Sequence, residues 1–230
     1  MTRPGGCGVG KPRAIAVIGL GDFGFHFSRA LHERGLDVIA IDERKDVVQL
    51  VSRWASKAIV ADARDKETLQ NIGLAQVDVA VVSLGTRMDA SILAALHLKS
   101  LGVKQIFVKA ITDDHAQILE KIGVTEVIFP EREMAERLAF KLLNPNVIEY
   151  LRLMQEFSIL ELAPPKDFRG KTLMELDLPK QYHITVIAVN QIAASRMVVI
   201  PPADYVIKDD DALIVVGRDD DIERFRKVIA

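Results

Sequence analysis

The 230-residue sequence has one cysteine, one tryptophan and three tyrosines, and no apolar run long enough to cross a bilayer. Each shortage excludes something. A lone cysteine, Cys7, cannot form an internal disulfide. It sits in a Gly- and Pro-rich opening, MTRPGGCGVGKPR, which lacks the apolar core of a secretory signal. Residues 1–13 therefore read as a flexible tail, and the chain as a cytoplasmic protein with no direct membrane insertion. Basic residues do not exceed acidic ones, 30 Lys and Arg against 32 Asp and Glu, so nothing points to nucleic acid as a partner. C-x-x-C, H-E-x-x-H, P-loop and G-x-S-x-G motifs are all missing. His26, His32 and His97 fall in expected helices at no metal or catalytic spacing. His115, early in a helix, reads as a surface or interface contact. What the chain does have is apolar content, 49% of residues, ample for a buried core.

The stretch from Ala14 to Asp42 is the most informative. Ala14 to Ile18 is an apolar run of strand length. It ends at Gly19, and Gly19-x-Gly21-x-x-Gly24 opens a helical pattern carrying Phe23, Phe27, Ala30 and Leu31 on one face. After Gly35 a second strand, Asp37 to Ile41, ends in the acid Asp42. Strand, glycine turn, helix, strand and acid at this spacing form the dinucleotide-binding fingerprint in its required context. Gly19 allows the tight turn, Gly21 lets backbone approach a pyrophosphate, and Gly24 lets the helix pack on the strand. The amides at the helix start attract phosphate. The Asp42 carboxylate can accept hydrogen bonds from a ribose diol. The competing reading is a doubly wound sheet whose glycines only tighten a turn.

The same alternation continues. Strands are expected at 57–61, 78–84, 105–109 and 126–129, each followed by a helical pattern, the last over 131–143. Six apolar strands alternating with helices call for a doubly wound parallel sheet covered on both faces. Right-handed crossovers place the carboxyl ends of all strands along one rim, so Gly19, Asp42, Asp62, Ser83 and Lys109 converge there. Asn144-Pro145-Asn146 breaks the pattern. Val147, Ile148, Leu151 and Met154 then recur at helical spacing, and 144–156 reads as a linking helix. From 157 to 230 the composition shifts to short strands and a closing helix over 219–229, a smaller α+β unit.

A small NAD-dependent oxidoreductase is one alternative, with Asp42 disfavouring a 2′-phosphate. It needs a general acid near the nicotinamide, and no histidine is well placed. About 75 residues after the linker are also few for a substrate domain. The acidic runs Asp209–Asp211 and Asp219–Asp221 read as a turn and as a helix start with favourable dipole charge, ahead of a cation site. Glu131, following Pro130, reads the same way.

These residues resemble the RCK (regulator of potassium conductance) family, with the greatest likeness to cytoplasmic Ktr/Trk-type subunits that gate bacterial potassium transporters. The matching stretches are VIGLGDFG at 17–24, VIAIDERKDVV at 38–48, FVKA at 107–110, ILEKIGVTEVIFPEREMAERLA at 118–139 and NVIEYL at 146–151. FRGKTLMELDL at 168–178 and DALIVVGRDDDIERF at 211–225 match the family's C-terminal domain. The resemblance implies a Rossmann-like nucleotide-binding domain over 14–143, a crossover helix over 144–156 and a regulatory ligand-binding domain over 157–230. It implies a non-enzymatic homodimer that assembles into an octameric ring under a membrane potassium transporter subunit, peripheral at the inner face of the membrane. It implies an adenine nucleotide, ATP/ADP or NAD(H), held by Gly19, Leu20, Gly21, Asp22, Phe23 and Gly24 at the phosphates and by Asp42 and Glu43 at the ribose. Asp62 and Ala63 would lie beside the adenine, Ser83 and Gly85 across the cleft, and Lys109 would reach toward the ligand. Glu131 takes the family's metal-associated place, implying a divalent cation. Ile200, Pro201 and the Phe168–Lys171 turn lie where the family's small domain holds cyclic di-AMP. One departure is informative. ATP-preferring members carry Arg where this chain has Asp22, and an acid repels a terminal phosphate, which favours NAD(H), ADP or AMP.

Overall fold

The computed structural model describes residues 14–154 and 156–229. The segment 1–13, read as a tail and holding Cys7, lies outside them. The chain divides into two compact units, Met1–Pro130 and Glu131–Ala230.

The first unit runs β1 (Ala14–Ile18), α1 (Asp22–Glu33), β2 (Asp37–Asp42), α2 (Lys45–Val51), β3 (Lys57–Val60), α3 (Lys66–Asn71), β4 (Val79–Val82), α4 (Met88–Ser100), β5 (Gln105–Lys109), α5 (Asp113–Ile122) and β6 (Glu126–Ile128). All six strands pair in parallel, in the order β3-β2-β1-β4-β5-β6. Side chains alternate across a strand, so β1 feeds two cores. Ala16 and Ile18 join Ile41, Val82, Ile106 and the buried faces of α3, α4 and α5. Ile15 and Val17 join Val38, Val81 and the apolar faces of α1 and α2. The sheet is therefore covered on both sides, as its apolar strands require. The order reverses between β1 and β4, and that switch point is where such sheets open a crevice at the strands' carboxyl ends.

Local chemistry sets the element ends. Asp65 caps α3, its carboxylate accepting from the Glu67 and Thr68 amides. Thr112 caps α5, and Gly123 stops it in the left-handed conformation, φ +84°.

The second unit opens with α6 (Pro130–Leu143), then β7 (Val147–Met154), β8 (Phe157–Leu162), α7 (Leu173–Leu176), α8 (Leu178–Tyr182), β9 (Thr185–Gln191), β10 (Arg196–Val199), β11 (Asp211–Arg218) and α9 (Asp219–Ile229). Its sheet is antiparallel, ordered β10-β9-β11-β8-β7. Leu160, Leu213 and Val215 pack with Ile222 and Phe225 of α9 beneath it. Phe140 of α6 stacks on Tyr150 at 4.1 Å, which ties α6 to this core.

The linking helix expected over 147–156 is a strand, β7, paired with β8. The helical spacing was an accident of two register shifts, between Val147 and Glu149 and between Arg152 and Met154, which hide the period-two alternation. Val147, Ile148 and Tyr150 are strand-favouring residues, and a partner strand follows at once. No helix among the described residues is long and apolar enough to cross a membrane.

Candidate functional site

The crevice is built at the end of β1. The Gly19 amide donates to the Ile41 carbonyl at 2.8 Å and the Ser83 amide to the Ile18 carbonyl at 2.7 Å, so β2 and β4 clamp the turn from either side. Gly19 has φ +89°, and a Cβ there would come 2.1 Å from the Ser83 carbonyl oxygen. A Cβ at Gly24 would come 1.9 Å from the Gly19 carbonyl oxygen. These two glycines are demanded by the protein itself. Gly21 is not: a Cβ there would meet nothing within 4 Å, and its φ of −64° suits any residue. Its open space is what a ligand's approach requires. Gly21 is also the N-cap of α1 and has no side chain to cap it, leaving the first-turn amides for an anion.

The other expected residues divide by what their side chains do. Leu20 is buried in the core with the α1 and α2 faces, and offers the crevice only its backbone. Phe23 stacks on Phe27 at 5.6 Å in the same cluster. Asp22 is exposed in the first turn of α1, where a negative charge suits the helix dipole. Asp42 is buried, with both oxygens engaged. Oδ2 accepts from the Leu20 amide at 2.7 Å, and Oδ1 from the Arg44 amide at 2.9 Å and its Nε at 3.3 Å. The acid therefore holds the glycine turn in shape. Ala63 is buried against the α3–α5 face. Ser83 is buried beside the turn, and Gly85 bends the β4–α4 connection with φ +63°. Lys109 ends β5, two strands from β1.

Three arginines in the strand-end connections were not foreseen. Arg44 pairs with Asp42, Arg64 with Asp62 and Arg87 with Glu43. The Arg64 guanidinium grips Asp62 through Nε and Nη2, at 3.0 and 2.6 Å, and its amide adds a third bond at 2.9 Å. These bonds lower the Asp62 carboxyl to about 2. The sequence held a signal: Asp-x-Arg recurs at 42–44 and 62–64, and in both turns the carboxylate accepts the amide two residues on. His97 Nε2 lies 3.1 Å from the Arg64 carbonyl oxygen.

One reading of a single residue changes, and that of the 209–211 run stands. His115 is not a surface contact but is buried, because its helix turns that position toward Leu119 and the sheet. Its desolvated ring is held below the usual histidine range. The acidic run at 209–211 is a turn: Asp211 accepts from the Tyr205 hydroxyl and the Lys208 amide, both at 2.9 Å. Asp219 accepts from Ser158 and Arg152. Among the described residues no three His, Cys, Asp or Glu gather to hold a metal. Glu131 is the second residue of α6.

In the second unit a cleft of about 440 Å³ lies between α7, α8 and Pro201, with Asp177 as its one charged lining group. Ile200 beside it is 82% exposed at φ +52°, an uncommon conformation for a β-branched residue. Phe168 enters the core instead, its ring 6.1 Å from Phe225.

Comparison with known proteins agrees with this layout. The TrkA-N domain model matches residues 15–130 and the TrkA-C domain model residues 157–230. Ktr system potassium uptake protein C of Bacillus subtilis (strain 168) is 40% identical over 215 residues, 94% of this chain and 96% of that one. Ktr system potassium uptake protein A of Vibrio alginolyticus is 34% identical over 208 residues, 90% and 94% of the two chains. Among solved structures, the GsuK channel bound to NAD superposes with a TM-score of 0.66 at 16% identity, and the GsuK RCK domain with 0.52 at 20%. Those two bear on the fold, and this chain spans 40% and 46% of their lengths. The chain belongs to the family of Ktr potassium uptake proteins built from TrkA-N and TrkA-C domains, and its RCK resemblance is borne out.

Proposed function

We propose that this member of the Ktr family is a nucleotide-binding regulatory subunit of a potassium uptake system, and that it performs no reaction on its ligand. The observation that carries the nucleotide reading is the Gly21 position, open to a ligand while Gly19 and Gly24 are closed by the protein's own backbone. The glycine-turn amides take the diphosphate. Asp42 and Glu43 face the ribose, Asp62 and Ala63 lie beside the adenine, Ser83 and Gly85 lie across the cleft, and Lys109 reaches toward the ligand. An adenine nucleotide fits, ADP or NAD(H) ahead of ATP, because Asp22 opposes a terminal phosphate. Residues 14–143 form the nucleotide-binding domain and 157–230 the regulatory one. A cyclic dinucleotide beside Pro201 would need cations from a second copy, since Asp177 is that cleft's charged group.

A partner of the same chain is supported by α6. None of its described side chains is buried, and Met134, Leu138 and Leu142 repeat every four residues as an exposed apolar stripe. In this reading dimers made through α6 close into an octameric ring at the cytoplasmic face of the membrane partner. The ligand gates that partner only by favouring one ring conformation over another. Potassium flux measured with the membrane subunit, with and without ADP or NAD, tests this. Nucleotide-dependent flux is expected, and nucleotide binding that leaves flux unchanged would remove the gating role.

A further inference from the structure

β2 and β4 are the two neighbours of β1, so the connections that follow them flank the glycine turn. Strand spacing sets the ends of β2 and β4 about 10 Å apart. An ion pair spans this gap. Arg87, at the start of α4, donates through Nη1 to Glu43 Oε2 at 2.7 Å, joining connections 44 residues apart in sequence. Asp62, beyond β2, feels the Arg87 charge, and Arg64 feels that of Glu43. The guanidinium therefore stands between the connections that follow β2 and β4, on either side of the glycine turn.

We propose that Arg87 is a phosphate-selecting residue of this site, and that on nucleotide binding it leaves Glu43 for a phosphate group of the ligand. This rests on the nucleotide reading above. A nucleotide with its phosphates at the glycine turn lies between the two connections that this pair joins. Both partners are about two-fifths exposed, 41% and 42%, and such a pair is weak. A guanidinium on a phosphate makes two parallel, charge-assisted bonds and is the stronger partnership. Arg44 and Arg64 cannot move so simply, because each is tied to the acid of its own turn. Arg87 has its partner on another connection, so the exchange leaves both turns intact. It also supplies the cation that Asp22 denies the turn, and it releases Glu43 to accept from the ligand's sugar or base.

Titration calorimetry of the full chain with adenosine, ADP, NAD and NADP tests this. Arg87→Gln should weaken ADP by about fivefold or more while leaving adenosine within about twofold, the scale of a charge-assisted bond lost. Arg87→Lys should recover part of the loss, and Glu43→Gln, which removes the competitor, should tighten ADP. A loss shared by ADP and NAD puts the phosphate in the 5′-diphosphate, and one confined to NADP, with ADP unchanged, would overturn the proposal. Equal tightening of adenosine and ADP in Arg87→Gln would mean that the pair only straps the crevice, and would overturn the proposal, as would unchanged ADP affinity. If the wild-type chain binds none of these ligands, the nucleotide reading itself fails. If it binds them and Arg87→Gln makes no difference, only the role of Arg87 does.

Discussion

At the scale of single residues, the glycine turn separates the needs of the fold from those of the ligand. Gly24→Ala should destabilise the protein by roughly 2 kcal/mol or more, since its Cβ would lie 1.9 Å from a carbonyl oxygen that belongs to a clamped turn. Gly21→Ala should leave the urea midpoint nearly unchanged yet weaken ADP and NAD by about tenfold or more, because its methyl would enter the open space proposed for the ligand. Equal stability losses in the two variants, or unaltered affinity in Gly21→Ala, would contradict the assignment. Asp42→Ala is a poorer probe. It would orphan the Leu20 and Arg44 amides and lower stability by about 1–3 kcal/mol along with affinity. The glycines and Asp42 were legible in the sequence because their spacing is imposed by backbone geometry. The arginines were not, because ion pairs between connections depend on which strands become neighbours. Arg87 and Glu43 meet only after β4 is placed beside β1.

At the scale of elements, the parallel strands were legible because each is an apolar run bounded by turn residues. β7 was not, because its irregular pairing with β8 imitates a helical period and only the partner strand decides. α5 carries a pH dependence. The His115 ring nitrogens have no hydrogen-bond partner among the described residues, and burial lowers the ring's proton affinity. The unfolded chain takes up this proton near the ordinary value of 6.5 while the native state resists it. Stability is therefore full above that pH and falls as pH drops through it, by at most about 1.4 kcal/mol per pH unit. Urea unfolding at pH 7.5 and 5.5 should show this fall in the wild type and a smaller one in His115→Leu. An equal fall in both would place its cause elsewhere. For α6, Leu138→Lys should leave the monomer's stability within about 0.5 kcal/mol, since the position is exposed, yet shift sedimentation from dimer toward monomer. A dimer of undiminished affinity would rule out the stripe as its interface.

At the scale of the whole molecule, two units with separate cores share one chain. On the reading proposed here, the first presents a crevice whose glycine turn takes a diphosphate and an Arg87–Glu43 pair that gives way to it. The second presents an apolar helix face suited to a second copy. A regulator needs both parts, since a ligand acts on a distant pore only through contacts that differ between two assembled states. The central claim is that the Gly19–Gly24 turn and Asp42 receive an adenine nucleotide. Titration of the intact chain with ADP and with NAD tests it most directly, using Gly21→Ala as the matched control. Saturable binding at one site per chain, lost in a variant that still folds, is the predicted result. Binding that is equally strong in Gly21→Ala, or no binding by the wild-type chain at all, would contradict it.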